Sequence, residues 1–310
     1  MAAPRSAAPS SAAGVRADRP SLAGGLVRAV RPQQWVKNVL VFAAPLAAGR
    51  VLEADVLGPT IVAFVLFCLA SSGVYLVNDS LDVEEDRRHP TKRNRPIASG
   101  VVPRWLAVSL AGVLIAVALV AAVLLTRPQL AGVLGTYVVL QLAYCLGLKN
   151  QAVLDLAVVA SGFLLRGVAG GVAAGLVLSQ WFLLVAAFGS LFMVAGKRYS
   201  ELVVVGDVAQ TRRTLQEYSA SYLRFVWSLS AGVACTTYSL WAFELGTAET
   251  GGVPWSAVSV APFVLGILRY AVDVDKGTAG APEELALRDP VLIALGAAWA
   301  VTVGLGVLGG

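Results

Sequence analysis

A run of acidic residues followed by cations is the densest group of chemically useful side chains in the chain. Asn78, Asp79, Asp82 and Asp86 come first, and a basic segment, residues 87–96, follows at once. On one helix the three aspartates would lie at i, i+3 and i+7, within about 60° of arc. Mg²⁺ prefers oxygen ligands and is typically held by one or two carboxylates plus substrate phosphates. The spacing predicts a magnesium site for a phosphorylated substrate, with a solvated charge run as the alternative.

The composition of the chain indicates the class of protein in which these residues lie. The 310 residues are 57% hydrophobic and only 14% charged, and their mean hydropathy is +0.73. These values are typical of a polytopic membrane protein and exclude a water-soluble domain. The net charge of +5 is explained by cations at membrane ends and by anionic lipid, so it does not indicate nucleic-acid binding. The three cysteines lie in apolar segments and form no disulfide or zinc pattern.

A hydropathy window of about 20 residues predicts nine membrane spans, so the expected fold is all-α, with about nine transmembrane helices around a cavity that opens to the cytoplasm. The predicted spans are 36–52, 57–77, 103–126, 130–148, 152–174, 179–196, 222–245, 254–272 and 289–308. Residues 1–30 are rich in Ala, Ser, Pro and Arg and are predicted to be a disordered cytoplasmic tail. Residues 31–310 are predicted to be one transmembrane catalytic domain.

The distribution of positive charge predicts the orientation. With the N-terminus inside, all but three of the 24 Lys and Arg residues fall on the cytoplasmic side. Arg50 and Arg127 fall outside, and Arg166 lies within a span. The long loops 78–102 and 197–221 are therefore expected to be cytoplasmic. The prediction is a multi-pass protein of the plasma (inner) membrane whose site faces the cytoplasm.

The other candidate residues are expected at the same membrane face. Lys37 begins span 1, Lys149 closes span 4, and Lys197, Arg198 and Glu201 close span 6. A single lysine at a helix end is usually an interfacial anchor. Because all these charges share a face with the carboxylates, we expect them to surround one cavity.

The motifs resemble those of the UbiA superfamily of intramembrane prenyltransferases. The resemblance rests on Asn-Asp-x-x-Asp-x-x-x-Asp at 78–86, on the basic residue early in span 1, and on 144–149 at the end of span 4. It covers residues 31–310 and implies that the acidic motif binds magnesium and, through it, a diphosphate. A second Asp-x-x-x-Asp motif is expected at the end of span 6. Here 196–201 reads Gly-Lys-Arg-Tyr-Ser-Glu instead.

That departure, together with Arg-Pro-Gln-Gln-Trp-Val-Lys-Asn at 31–38, resembles the decaprenyl-phosphate phosphoribosyltransferase branch. The branch implies transfer of 5-phosphoribose from phosphoribosyl diphosphate to a polyprenyl (decaprenyl) phosphate, with inversion and release of diphosphate, in arabinan cell-wall precursor synthesis. The implied partners are phosphoribosyl diphosphate, the lipid phosphate and the membrane. The implied cofactor is Mg²⁺, held by Asn78, Asp79, Asp82 and Asp86.

Residue roles follow from this chemistry. Asp79, Asp82, Asp86 and Lys37 are the expected catalytic residues, because they stabilise the departing diphosphate. The expected substrate-binding residues are Gln34, Lys37, Tyr144, Lys149, Arg166, Lys197, Arg198, Tyr199 and Glu201. Since the lipid phosphate is already ionised, no general base is required, and the single histidine, His89, is expected to be a solvated loop residue.

Several alternatives stay open at this stage. Arg166 lies inside span 5, where a cation needs a polar cavity or a partner. Tyr144 and Tyr199 either bind phosphate or anchor helices at the interface. The rival functions are a UbiA-type prenyltransferase with an aromatic or isoprenoid acceptor and a transporter for an anionic metabolite. Glycine-rich helices favour close packing, so a homo-oligomer is also considered.

Overall fold

In the part of the chain that the structure describes, the regular elements are all helices. The computed structural model describes residues 21–205, 217–246, 252–280, 285 and 288–308, and these ranges contain no β-strand. The all-α class is therefore confirmed for them. The α-helices are α1 Leu22–Ala29, α2 Ala43–Ala47, α3 Ala54–Leu81, α4 Val83–Arg88, α5 Arg104–Leu125, α6 Pro128–Leu146, α7 Leu154–Ala174, α8 Gln180–Val205, α9 Ala220–Gly246, α10 Trp255–Val258, α11 Val260–Asp275 and α12 Pro290–Leu308. Three 3₁₀ helices lie at Pro32–Phe42, Lys92–Asn94 and Leu148–Asn150.

Seven helical segments among the described residues are long and apolar enough to cross a membrane. They are Ala54–Leu81, Arg104–Leu125, Pro128–Leu146, Leu154–Ala174, Gln180–Val204, Trp255–Asp275 and Pro290–Val307. A multi-pass membrane protein is thus confirmed, but the predicted count of nine spans is not.

The two remaining predicted spans differ from simple apolar helices. The first, 36–52, is divided between the 3₁₀ helix Pro32–Phe42 and the short helix α2. The 3₁₀ helix lies directly on α7, because a Cβ atom on Gly170 would stand only 1.6 Å from the carbonyl oxygen of Val41. The predicted span 222–245 falls on α9, a helix of 27 residues. Its many hydroxyl and aromatic residues lower its hydropathy below that of the seven candidate spans.

The part of the predicted disordered tail that the structure describes contains a helix. Ser21 caps α1 by accepting a hydrogen bond from the backbone N–H of Gly24 at 3.2 Å. Ala29 is buried in a cluster that includes Leu76 of α3 and Val102, which precedes α5. The buried side of this short helix, Gly25 and Ala29, packs against α3 and the segment before α5, and this packing accounts for a helix at residues 22–29. Residues 1–20 lie outside the described part of the chain.

Two main apolar clusters hold the helices together. One cluster joins α3, α5, α6 and α7 around Phe67, Leu130 and Leu134. The other joins α7, α8, α9 and α11 around Phe192 and Leu223. Helix α7 contributes to both clusters and therefore links the two halves. Polar side chains then gather where α3, α6, α8 and α11 end and where α7 and α9 begin.

Candidate active site

The acidic cluster, Asp79, Asp82 and Asp86, lies across a helix break. Helix α3 ends at Leu81, α4 begins at Val83, and Asp82 between them has φ −88° and ψ 9°. The expectation of one uninterrupted helix was therefore wrong at this residue. The turn nevertheless continues, because the N–H of Asp82 donates to Asn78 O at 2.9 Å and that of Asp86 to Asp82 O at 2.8 Å. The three carboxylates remain close in the chain but need not share one face.

Asp79 binds two arginines from other parts of the chain. Nη2 of Arg31 donates to both carboxylate oxygens, at 2.8 and 2.7 Å, and Nη1 of Arg95 donates to Oδ1 at 3.1 Å. Arg31 has the left-handed backbone φ of +54°, at the turn between α1 and the 3₁₀ helix, and its guanidinium lies 5.1 Å from the ring centre of Tyr75. Only 3% of Asp79 is exposed. A buried carboxylate requires such charge-assisted partners.

One nitrogen atom joins Asp79 to Asp86. The same Arg95 Nη1 that contacts Asp79 also donates to Oδ2 of Asp86 at 2.7 Å. Arg95 follows the 3₁₀ turn Lys92–Asn94, and that turn brings the basic segment back over the acidic residues. The cation between two carboxylates occupies the kind of position that a divalent cation takes between such groups.

The third carboxylate has a separate partner. Asp82 forms an ion pair with Lys149, which lies in the 3₁₀ turn that follows α6. Both side chains are about one-fifth exposed. The contact confirms that the ends of α3 and α6 meet, as the shared membrane face required.

The predicted magnesium site has the oxygen donors that Mg²⁺ prefers, but its three carboxylates do not converge on one point. Within the described ranges, no three His, Cys, Asp or Glu side chains are arranged so that they could hold one metal ion. The oxygen donors are those that Mg²⁺ prefers, and the pair Asp79 and Asp86 already shares one cationic atom. Two carboxylates and substrate phosphates are a sufficient ligand set for this ion. The residues therefore fit magnesium through this pair.

The cations that neutralise Asp79 and Asp86 were missed by the residue assignments from sequence. Arg31 belongs to the 31–38 motif and Arg95 to the basic segment. Both segments were noted in the sequence, but neither arginine was assigned a role. A basic segment of several arginines and lysines does not reveal which of them turns back toward the carboxylates. Pro96 directly after Arg95 was one local signal, because it restricts Arg95 to an extended backbone.

Gln34 and Lys37 lie on one side of the 3₁₀ helix. With three residues per turn, positions separated by three residues are eclipsed. Both side chains are half-buried. The neighbouring side carries Trp35, which donates to Ser72 Oγ at 3.0 Å, and Asn38, which is fully buried. The side with Trp35 and Asn38 thus packs on α3. Gln34 and Lys37 lie on the other side, at three-residue intervals after Arg31.

Arg166 lies in a buried polar network. Its Nε donates to Asn38 Oδ1 at 2.7 Å, Nη1 to Gly162 O at 2.7 Å, and Nη2 to the Tyr137 hydroxyl at 3.1 Å. The guanidinium also lies 4.9 Å from the Tyr137 ring centre. These contacts join the 3₁₀ helix, α6 and α7, and they include no residue of the acidic cluster. The sequence left two explanations for a cation inside a span, a polar cavity or a partner. The structure shows partners within the fold.

The basic pair Lys197 and Arg198 lies inside α8, about two turns before its last residue, Val205, so the prediction of a loop at 197–221 was wrong for residues 197–205. The two cations have different surroundings. Arg198 is buried and donates to Asp155 Oδ2 at 3.3 Å, to Glu201 Oε2 at 3.0 Å, and to the Tyr144 hydroxyl at 3.5 Å. Lys197 is half-buried. Consecutive helical residues point about 100° apart, so the two cations face different surroundings. Asp155 is a buried partner that the assigned site residues did not include.

Tyr199 packs inside the end of the bundle. Its hydroxyl accepts a hydrogen bond from Arg224 Nη2 at 2.6 Å, and the same nitrogen donates to Asp275 Oδ1 at 3.1 Å. Tyr199 is buried, so it is not an anchor at the membrane surface. The contacts place the ends of α8 and α11 beside the beginning of α9.

Comparison with known proteins agrees with this architecture. Residues 39–296 match the model of the UbiA prenyltransferase family. The chain is 57% identical over 295 residues to a decaprenyl-phosphate phosphoribosyltransferase of Mycolicibacterium smegmatis, with 92% of each chain covered. It is 56% identical over 292 residues to the protein of that name from Mycobacterium tuberculosis, covering 93% of this chain and 95% of the relative. The protein of that name from Corynebacterium glutamicum is 51% identical over 291 residues, covering 93% of this chain and 88% of the relative.

Solved structures are similar at the level of the fold. A UbiA homolog from Archaeoglobus fulgidus bound to GPP and Mg²⁺ superposes with a TM-score of 0.68 at 14% identity, covering 92% of this chain and all of that chain. A UbiA homolog from Aeropyrum pernix K1 gives 0.63 at 15% identity, covering 90% of this chain and 98% of that chain. The resemblance inferred from the motifs is confirmed. The chain belongs to the UbiA prenyltransferase family.

Proposed function

We propose that this protein transfers 5-phosphoribose from phosphoribosyl diphosphate to decaprenyl phosphate and releases diphosphate. The observation that carries the proposal is identity of 51–57% over more than nine-tenths of the chain to relatives named decaprenyl-phosphate phosphoribosyltransferase. The basic pair Lys197 and Arg198, at a position where a prenyltransferase is expected to carry paired aspartates, supports the same donor. In the reaction, the bond between the anomeric carbon and the diphosphate oxygen breaks, and a bond to the lipid phosphate oxygen forms.

The acidic cluster is the proposed magnesium site. Asp79 and Asp86 would provide the principal ligands, with Asp82 and Asn78 beside them. Magnesium supplies Lewis-acid stabilisation of the negative charge that develops on the leaving diphosphate. Two arginines bring positive charge to the same place: Arg31 donates to Asp79, and Arg95 donates to both Asp79 and Asp86. Arg31 and Arg95 are therefore proposed to contact the donor phosphates, in addition to Lys37 and Lys149.

The chain's own residues need not remove a proton. A phosphate oxygen of the acceptor is ionised at neutral pH and can attack directly. The only histidine, His89, accepts through Nδ1 from the backbone N–H groups of Thr91 and Lys92, at 3.3 and 3.4 Å. It thereby shapes the turn after α4. This local role supports the view that His89 is not a general base.

The proposed orientation is a plasma-membrane protein whose site faces the cytoplasm. Its support is the bias of Lys and Arg toward one end of the spans. The donor carries several negative charges and cannot enter an apolar bilayer, so a site at the cytoplasmic interface suits its chemistry. We further propose that residues 31–310 form a single catalytic domain. A homo-oligomer stays a prediction.

A donor screen tests the proposed function. Purified protein in lipid vesicles with Mg²⁺ and decaprenyl phosphate receives labelled phosphoribosyl diphosphate, or labelled prenyl diphosphate with an aromatic acceptor. We expect label to reach the lipid from the first donor only, with diphosphate released in equal amount. Preparations of Asp79→Asn serve as the background control. Transfer from prenyl diphosphate alone would instead support the prenyltransferase alternative.

A further inference from the structure

A buried tyrosine outside the assigned site joins two helices that end near it. Tyr218 lies two residues before α9 and is 6% exposed. Its hydroxyl donates to Asp155 Oδ1 at 2.5 Å and accepts from the backbone N–H of Val153 at 2.6 Å. One hydroxyl group thus contacts both the residue before α7 and the first turn of α7.

The backbone at this contact is strained. Val153 has φ +69° and ψ −46°, a positive-φ conformation that is unfavourable for a β-branched residue. Such outliers persist only where surrounding contacts hold them, and they are frequent at functional sites. The bond from the Val153 N–H to Tyr218 is one such contact. The beginning of α7 is therefore held in a defined position by a side chain from outside the helix.

Asp155 connects Tyr218 to Arg198 by hydrogen bonds. Its Oδ1 accepts from Tyr218, and its Oδ2 accepts from Arg198 Nε at 3.3 Å. Asp155 is almost wholly buried, and so is the guanidinium. Arg198 also donates to Glu201 and to Tyr144. Within the described residues, these bonds use three of its five N–H donors, so its orientation is set while donors remain for a ligand.

The Tyr218 hydroxyl is a constant donor. Burial, followed by the hydrogen bond to Asp155, raises the pKa of Tyr218 above its ordinary value. The hydroxyl therefore keeps its proton at neutral pH, and Asp155 keeps an acceptor role toward it.

We infer that Tyr218 is a positioning residue for phosphate recognition in the last turns of α8: by fixing Asp155, it orients the remaining N–H donors of Arg198 toward a phosphate monoester of the substrate. This inference rests on the proposed function. Both the 5-phosphate of the donor and the phosphate of the lipid have the required chemistry. The competing explanation is that Tyr218 only stabilises the helix packing.

Tyr218→Phe removes the hydroxyl and keeps the ring, and Tyr222→Phe is its matched control. The two rings stack at 5.7 Å with an interplanar angle of 10°, and Tyr222 is 37% exposed. Initial rates are measured with phosphoribosyl diphosphate varied at saturating lipid, and then with decaprenyl phosphate varied at saturating donor. We expect Tyr218→Phe to raise one KM about tenfold, with kcat within about twofold of wild type. Tyr222→Phe should leave both unchanged.

The substrate whose KM rises identifies the phosphate that Arg198 meets. Unchanged KM values for both substrates in Tyr218→Phe would overturn the inference. A parallel fall in kcat and melting temperature, with KM unaffected, would assign Tyr218 to packing alone and would overturn it as well.

A double-mutant cycle tests whether the effect passes through Arg198. Arg198→Lys keeps the positive charge but loses the forked guanidinium that binds three partners. If Tyr218 acts through Arg198, Tyr218→Phe should change KM by less than about twofold in the Arg198→Lys background. Independent effects that multiply would contradict the inference. The donor screen uses the wild-type protein, in which neither Tyr218 nor Arg198 is substituted. Its result therefore distinguishes failure of this inference from failure of the proposed function.

Discussion

The acidic cluster and the end of α8 are opposite solutions to the same electrostatic problem. At the acidic cluster, carboxylates are neutralised by cations that come from other parts of the chain, Arg31, Arg95 and Lys149. At the end of α8, the buried cation Arg198 is neutralised by carboxylates, one of them only three residues away. One site therefore gathers positive charge around negative groups, and the other gathers negative charge around a positive group.

The difference shows that the net charge of a sequence motif does not reveal which of its charged side chains remain available to bind a ligand. Arginines drawn in by Asp79 and Asp86 carry further N–H donors and stand beside the proposed metal ligands, so they are well placed for substrate phosphate. Arg198 spends part of its charge on Asp155 and Glu201. Lys197, half-buried beside it, has a different direction and different surroundings. The following substitutions test this contrast, beginning with the largest expected effect.

Asp79→Asn should have the largest effect on activity. The substitution removes the charge that binds both Arg31 and Arg95, and it removes a proposed metal ligand. We expect kcat/KM to fall about 100-fold or more. Rates are measured across a Mg²⁺ series on protein whose membrane insertion has been checked. Near-normal turnover at ordinary Mg²⁺ would remove Asp79 from the proposed machinery.

Arg95→Gln should follow, because one nitrogen of Arg95 serves two buried carboxylates. Loss of a charge-assisted contact of about 2 kcal/mol corresponds to roughly a 30-fold loss of kcat/KM. Arg87→Gln is the matched control in the same segment, since Arg87 pairs with the exposed Glu84 and donates to Ala98 O at 3.1 Å but, among the described residues, contacts neither Asp79 nor Asp86. Equal effects of the two substitutions would show that the shared contact has no special role.

Arg198→Ala and Lys197→Ala should differ in their effect on stability. Arg198→Ala leaves Asp155 buried without its cation, and we expect a loss of stability on the order of 3 kcal/mol, seen as a lower melting temperature. Lys197→Ala should lower the melting temperature less than Arg198→Ala does, because Lys197 is only half-buried, and should reduce kcat/KM about tenfold. If Lys197→Ala is neutral in both measurements, the basic pair does not contribute to donor recognition through Lys197.

Arg50→Ala should have the smallest effect. Arg50 lies before α3, at the opposite end of that helix from Asp79, and its ion pairs with Glu53 and Asp55 are exposed. The hydrogen bond from Arg50 lowers the pKa of Glu53, so any contribution is present above the ordinary glutamate pKa and is lost as pH falls through the lowered value. Exposed pairs are screened by solvent, and we expect no measurable change in activity or melting temperature. A clear loss of activity would contradict the placement of the site at the other end of α3.

Hydropathy and motif spacing were sufficient for the fold class and for finding the acidic cluster in the chain. Apolar stretches of membrane length predict helices because the cause, burial of backbone polar groups in an apolar medium, acts within each segment. The same reasoning failed where composition was ambiguous. Residues 36–52 hold a 3₁₀ helix that depends on the close approach of Gly170, and residues 22–29 form a helix that depends on burial of Ala29. Both are consequences of packing against distant residues.

By itself, the sequence determined the all-α membrane class, the acidic cluster and the family, because each is written in local composition or in a contiguous motif. Only the tertiary structure decided which cations meet which carboxylates. Arg31 lies 48 residues from Asp79, and Lys149 lies 67 residues from Asp82. Such pairs form only when the helix ends pack at one end of the bundle, and packing depends on apolar contacts spread along several helices. For the same reason, the structure alone revealed Tyr218 and its link through Asp155 to Arg198.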